Sequence, residues 1–196
     1  MILSNRGIQK ALDERRLIIR PEPEPRLPSV ARPDCPYNTT SVDLRLGTKL
    51  AEPARGPFTF DLRRGGIAKF LGDNSEAFDI DPRRGFTLDP QQFVLGQTLE
   101  YIELPIPARD DVPALAGRIE GRSSFARCGL LVHFTAPTVH AGFSGQLTLE
   151  MTNLGPNPVL LFAEQPICQL IVEVVESLPF EKPGQFQGQV TPQGTR

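Results

Sequence analysis

Tryptophan is absent from this chain, and the residues that usually hold metals or form cross-links are scarce: three cysteines and two histidines in 196 residues. Cys35, Cys128 and Cys168 are odd in number and far apart, which argues against a disulfide framework and against a paired-cysteine zinc site. On a continuous strand, the odd spacing of His133 and His140 would turn them to opposite faces, away from any shared metal. No Walker loop and no dinucleotide fingerprint occurs. Long apolar runs are also lacking, so neither a secretory leader nor a membrane span is expected, and a reducing cytoplasm is the expected location. Lys plus Arg is 21 against 23 Asp plus Glu, a net charge of -2. Without a cation surplus to displace counterions, general nucleic-acid binding is not expected.

What the chain has in quantity is punctuation, with 20 prolines and 17 glycines. Its length fits a single domain over 1–196 with a real hydrophobic core. Ser4 is placed to cap a short helix over 6–12, in which Ile8 and Leu12 are one turn apart. Residues 21–28 alternate proline with charge and read as a stiff, extended connector. From Thr40 onward the pattern is strand-like. Segments 41–46, 93–104, 130–134, 145–151, 159–162 and 168–174 are β-rich runs separated by Gly and Pro turns. That series predicts a mainly β barrel or sandwich and not a βαβ architecture. Arg15-Arg16, Arg63-Arg64 and Arg83-Arg84 read as solvated turns. The tail, 182–196, is polar and glycine-rich, so it is expected to be disordered or ordered only by a ligand or partner.

Two segments carry candidate chemistry. In 145–151 the alternation puts Leu147, Leu149 and Met151 on one face and Thr148 and Glu150 on the other. Periodicity leaves Glu150 either on a solvated face or at the floor of a pocket, where a partly desolvated carboxylate suits proton shuttling. The run Gly121-Arg-Ser-Ser-Phe-Ala-Arg127, followed by Gly129, reads as a serine-capped helical turn with a glycine stop. It is equally a plain turn between strands or a cradle of amides, hydroxyls and guanidinium groups suited to phosphate. His140 lies in a turn just ahead of the Glu150 strand.

At these residues the chain resembles the dCTP deaminase branch of the trimeric dUTPase-like superfamily. The resemblance runs through residues 3–8, 41–47, 93–100, 115–130, 141–150, Asn153, Gln169-Leu170 and 185–189. It implies a distorted dUTPase-like β-barrel (β-clip or jelly-roll-like) with a short N-terminal helix, assembled as a homotrimer with active sites at subunit interfaces. It implies that Arg122, Ser123, Ser124 and Arg127 contact a triphosphate carrying Mg²⁺, without zinc, and that Glu150 activates the water that attacks cytosine C4. Backbone groups near Thr135 and Ala136 would read the base, with Gln169 and Gln189 also contacting the nucleotide. The expected reaction is dCTP to dUTP and ammonia, with dTTP as an inhibitor.

Three positions depart from the family pattern. His140 stands in the turn before the Glu150 strand where the family has an aspartate, ten residues ahead of the glutamate, which bears on dUTP hydrolysis; Gln185-Phe186 replaces Lys-Tyr; and Pro137-Thr138 alters the loop beside the base. The alternatives are therefore a dUTP or other nucleotide diphosphatase, or a bifunctional deaminase-diphosphatase, and a non-catalytic trimeric nucleotide binder. No zinc-deaminase signature occurs, and a carboxylate can deprotonate water for this reaction, consistent with the role the resemblance implies for Glu150.

Overall fold

In the computed structural model, described for residues 1–196 apart from Phe58, Phe60, Leu62, Arg64, Asp110, Pro183, Gln185, Thr195 and Arg196, a short helix precedes a chain of antiparallel strands. Helix α1 spans Asn5–Asp13; Ser4 caps it, its side chain accepting from the Gly7 amide at 3.3 Å. Ile8 and Ala11 are the residues the helix buries, one turn apart on the inward face.

One sheet runs in the order β5 (Ser75–Asp79), β4 (Lys49–Pro53), β7 (Phe93–Glu103), β11 (Ser144–Asn153) and β9 (Leu130–Leu131), and β1 (Ile18–Arg20) also pairs with β7. The second runs β10 (Thr138–Val139), β8 (Leu115–Gly121), β13 (Pro166–Val174), β3 (Ser41–Arg45) and β2 (Tyr37–Asn38). A separate pair joins β12 (Val159–Leu161) to β6 (Phe86–Leu88). The core draws on both larger sheets, with Leu149 and Met151 from the first and Leu44, Leu115, Leu170 and Val172 from the second fully buried in one cluster. The fold is mainly β, with a short N-terminal helix, as the alternating runs and the Ser4 cap predict.

Several expectations shift in detail. The run 130–134 pairs only at Leu130–Leu131, and the chain from Val132 to Pro137 is irregular. Strand β8 and helix α2 (Ile67–Asp73) were not anticipated, the latter rising from Gly65 and Gly66, both in the left-handed region. Within the proline-rich stretch, the Arg26 guanidinium bridges Glu22 at 2.6 Å and Asp13 at 2.7 Å, and Gln9 donates to the Arg26 carbonyl, so the connector is fastened to α1. Asp81 accepts from the Arg83 and Arg84 amides, forming the turn read there; Arg64 of the other pair lies outside the described residues. The tail does not wait for a ligand: Gln189 and Gln193 are buried against the rest of the chain. No helix among the described residues is long and apolar enough to cross a membrane.

Gly96 leaves room for the Met151 side chain between β7 and β11: a Cβ there would stand 2.7 Å from the Met151 methyl carbon, which would have to shift. Farther along the same pair, the register slips so that Thr98, Leu99 and Glu100 bulge opposite Leu147. The Thr98 hydroxyl stands in for the lost ladder by accepting from the Leu147 amide at 3.0 Å, and the Gln146 amide group closes the rest by donating to the carbonyls of Thr98 and Leu99. The bulge turns Glu100 inward, fully buried, where it accepts from the Arg45 amide and guanidinium at 2.9 and 2.7 Å.

Burial raises the Glu100 pKa above the ordinary carboxylate value of 4.5, outweighing the Arg45 bonds. A carboxyl that binds its proton more tightly when folded makes stability fall as pH rises from the unfolded value through the folded one. Glu100→Gln is therefore expected to flatten that decline in a series of thermal unfolding curves from pH 4 upward, on the order of the titration window of one carboxyl. An unchanged slope would show that Glu100 is not the group responsible.

Candidate active site

Strand β11 delivers Glu150 because its two faces differ. Leu149 and Met151 are fully buried in the core, which turns Thr148 and Glu150 to the opposite face, where both line a cavity of about 1390 Å³. Apolar groups such as Phe93, Leu95 and Phe143 make up much of its wall. The Glu150 side chain keeps 31% of its surface exposed, so the pocket-floor alternative is the one realised.

His133 meets that carboxylate. Its Nδ1 forms an ion pair with Glu150 Oε2, and its Nε2 lies 2.8 Å from the Ala136 carbonyl oxygen. Both ring nitrogens thus face acceptors. A neutral imidazole carries one N–H and can satisfy only one of them; the imidazolium satisfies both. Burial opposes the charge, yet the bonds to Glu150 and Ala136 outweigh it and the His133 pKa is raised above 6.5. Sequence reasoning considered His133 only as a metal partner of His140. A separation of seventeen residues and an irregular return from Val132 to Pro137 left no local pattern to reveal its contact with Glu150.

Ala136 and His140 line the same cavity, and Thr135 is exposed on the loop between them and His133. Gln189 also lines it, but its amide is committed: Nε2 donates to the Gln146 carbonyl at 2.6 Å, while the Gln146 amide donates to the Gln189 carbonyl at 3.0 Å. With the Gly188 amide donating to Ser144, the tail docks along the edge of β11 that carries Glu150. Gly145 permits this approach, since a Cβ there would stand 3.2 Å from the Gln189 backbone. Gln185, one of the departures from the family pattern, lies outside the described residues.

The Arg122 block is a separate structure. Helix α3, Ser123–Ala126, begins at Arg122 in extended conformation, so the capping residue is Arg122 and not a serine; no side chain caps it. Gly129 supplies the expected stop at φ +92, with Gly155 so near that no Cβ fits. Ser123, Ser124 and Arg127 are exposed. The Arg122 guanidinium lies over the Phe125 ring, 5.4 Å from its centroid, and 3.5 Å from Asp43 Oδ2. Gln169 donates to Asp43 Oδ1 at 3.0 Å. None of Arg122, Ser123, Ser124, Arg127 or Gln169 lines the Glu150 cavity. One chain therefore gathers the site residues into two groups: Glu150, His133, Ala136, His140 and Gln189 on one side, and the Arg122 block with Gln169 on the other. Among the described residues, no three His, Cys, Asp or Glu side chains converge as a metal-ligand set.

A mainly β scaffold with a carboxylate in a half-apolar cavity, and a separate cluster of hydroxyl and guanidinium groups, defines an enzyme of the nucleotide-deaminase kind once the comparisons are added. The family model described as dCTP deaminase-like matches residues 2–175, and the chain belongs to that family. A dCTP deaminase, dUMP-forming, of Dictyoglomus turgidum is 38% identical over 171 residues, 87% of this chain and 78% of the relative. A dCTP deaminase of Natronomonas pharaonis is 34% identical over 209 residues, 100% of this chain and 94% of the relative. The crystal structure of 2'-deoxycytidine 5'-triphosphate deaminase from Agrobacterium tumefaciens superposes with a TM-score of 0.61 at 20% identity, over 89% of this chain and 48% of that one, which supports the fold.

Removing the Glu150 charge leaves burial as the dominant influence on His133. In Glu150→Gln, the imidazole titration followed by NMR is expected to fall from above 6.5 to at or below that value. A midpoint unmoved by the substitution would mean that Glu150 does not hold the proton on His133.

Proposed function

We propose that this protein hydrolyses dCTP to dUTP and ammonia, with Glu150 as the group that activates water. The observation that carries this reading is the Glu150–His133 pair at the wall of a cavity large enough for a nucleoside. Glu150 takes a proton from water as the oxygen attacks cytosine C4, delivers it to N3, and the amino group leaves as ammonia after taking the second proton of the water. His133, paired with the carboxylate, holds it aimed before the attack and lies within reach of it as the proton passes through. Ala136, whose carbonyl is held by His133, and the neighbouring Thr135 present backbone groups to the base edge.

The triphosphate belongs with Arg122, Ser123, Ser124 and Arg127, because guanidinium and hydroxyl donors in a short span match phosphate oxygens. Since this block lies outside the Glu150 cavity of its own chain, the reading requires a neighbouring copy to bring it there, in the homotrimer that the resemblance implies. Mg²⁺ fits as an ion carried by the triphosphate: Asp43, the carboxylate next to the block, already serves Asn38, Gln169 and Arg122. Gln189 would close over the sugar from the docked tail, with dTTP as a competitor for the same cavity.

A second reading is formation of dUMP, favoured by the name of the Dictyoglomus turgidum relative. Against it stands His140 at the cavity wall, where the family pattern has an aspartate to hold a second water. A neutral imidazole can accept a proton, but it offers one acceptor nitrogen where a carboxylate offers two oxygens and a fixed negative charge to orient that water.

Chromatography of products from dCTP and from dUTP separates the two. We expect dUTP with equimolar ammonia from dCTP and no pyrophosphate from dUTP; release of dUMP and pyrophosphate would install the second reading. Glu150→Gln is expected to lower kcat by about 10²–10⁴ with KM little changed. Mixing Glu150→Gln with Arg122→Ala subunits should restore part of the activity that each lacks alone, because some interfaces in a mixed assembly then hold both intact groups. Mixtures no more active than either parent would place both groups in one chain's site.

A further inference from the structure

Asp43 is the buried carboxylate that no reading of the sequence singled out, and three side chains from three different elements converge on it. Its Oδ1 accepts from Asn38 Nδ2 of β2 at 2.8 Å and from Gln169 Nε2 of β13 at 3.0 Å. Its Oδ2 faces the Arg122 guanidinium at the start of α3, at 3.5 Å. The Asp43 side chain is 9% exposed and sits on β3, a strand with neighbours on both sides. The doubly held oxygen fixes the rotation of the carboxylate, so the remaining oxygen has one direction in which to point.

We infer that Asp43 is a positioning residue for the phosphate-binding end of the site, holding Arg122 and Gln169 in the geometry that receives the nucleotide. This deepens the proposed function and rests on its assignment of Arg122 to the triphosphate. The placement has a clear physical logic. A free arginine on a short turn samples many rotamers, and a phosphate that captures it must supply the ordering entropy. Between the Asp43 carboxylate and the Phe125 ring, the Arg122 guanidinium is already confined. A guanidinium carries five N–H donors, and a contact at 3.5 Å to one nitrogen leaves the others for phosphate oxygens. Asp43 lowers the net positive charge of the block, which works against anion affinity; the ordering of two ligand side chains by one buried group is what offsets it. Gln169, on the adjacent strand in register with Asp43, is oriented by the same carboxylate, so the two contacts move as one unit.

The test is a double-mutant cycle on the full-length protein, with dCTP and Mg²⁺ as the probe, comparing Arg122→Ala, Asp43→Ala, Asp43→Asn and the Asp43→Ala/Arg122→Ala double variant. Thermal unfolding of each variant accompanies the kinetics. Asp43→Ala is expected to raise KM for dCTP about tenfold with kcat changed by no more than about twofold, and Asp43→Asn, which keeps an acceptor at Oδ1, to fall between it and the wild type. The double variant is expected to be no worse than Arg122→Ala alone, because Asp43 has nothing left to position. If Arg122→Ala raises KM and Asp43→Ala does not, or if their effects add in full, the inference is overturned while the phosphate assignment stands. If Arg122→Ala leaves KM unchanged, the phosphate assignment itself falls. Should Asp43→Ala fail to fold, Asp43→Asn decides alone, since an unchanged KM in that folded variant combined with an unchanged Arg122→Ala coupling also overturns the inference.

Discussion

The antiparallel pairing of β7 with β11 is the constraint on which the rest of the site depends. Side chains alternate along a strand with a period of two, so a slip of one residue would carry Glu150 into the core and Leu149 out of it. Fully buried Leu149 and Met151, with Gly96 making room for the Met151 methyl group, lock the register at the end of the strand where Glu150 lies. At the other end the ladder breaks at the Thr98–Glu100 bulge, and side chains repair it. Beyond that repair the outer edge of β11, from Ser144 to Gln146, receives the tail. One strand therefore presents Glu150 to the cavity, anchors the core and docks the tail.

Charged groups in this fold are placed by partners and not by burial alone. Glu100 is held inside by Arg45 through two hydrogen bonds, although burial still pushes its carboxyl toward the neutral form. In the half-apolar cavity, the contact with Glu150 favours the charged form of His133 against the burial that opposes it. Asp43, largely buried, is met by Asn38, Gln169 and the Arg122 guanidinium. Removing one member of such a set leaves the others desolvated and unsatisfied, which costs more than the bond itself contributes.

Membership of the dCTP deaminase-like family, with relatives named as dCTP deaminases, supports an enzyme of the deaminase kind. It does not by itself fix the product. Relatives of 32% to 38% identity include several whose names specify dUMP and one whose name does not. The position that separates these outcomes on chemical grounds is His140, a cavity residue with no carboxylate to offer.

Much of this was legible in the order of residues. Alternation identified the β11 strand and both of its faces, Ser4 marked the start of α1, and Gly129 marked the stop after α3, because each depends on neighbours within a few positions. For Glu150 and the Arg122 block, alternation and turn residues left two readings each, and the roles expected of them came from the family resemblance. What the sequence could not determine were contacts between residues far apart along it. The capping residue of α3 turned on one backbone torsion; the pairing of His133 with Glu150 required an irregular loop to return a ring to a strand; the convergence of Asn38, Gln169 and Arg122 on Asp43 required three elements to meet. Local propensity and periodicity determined which segments are strands and which face each presents, whereas only tertiary packing decided which side chains from distant segments share a charge, because that depends on the position of every strand between them.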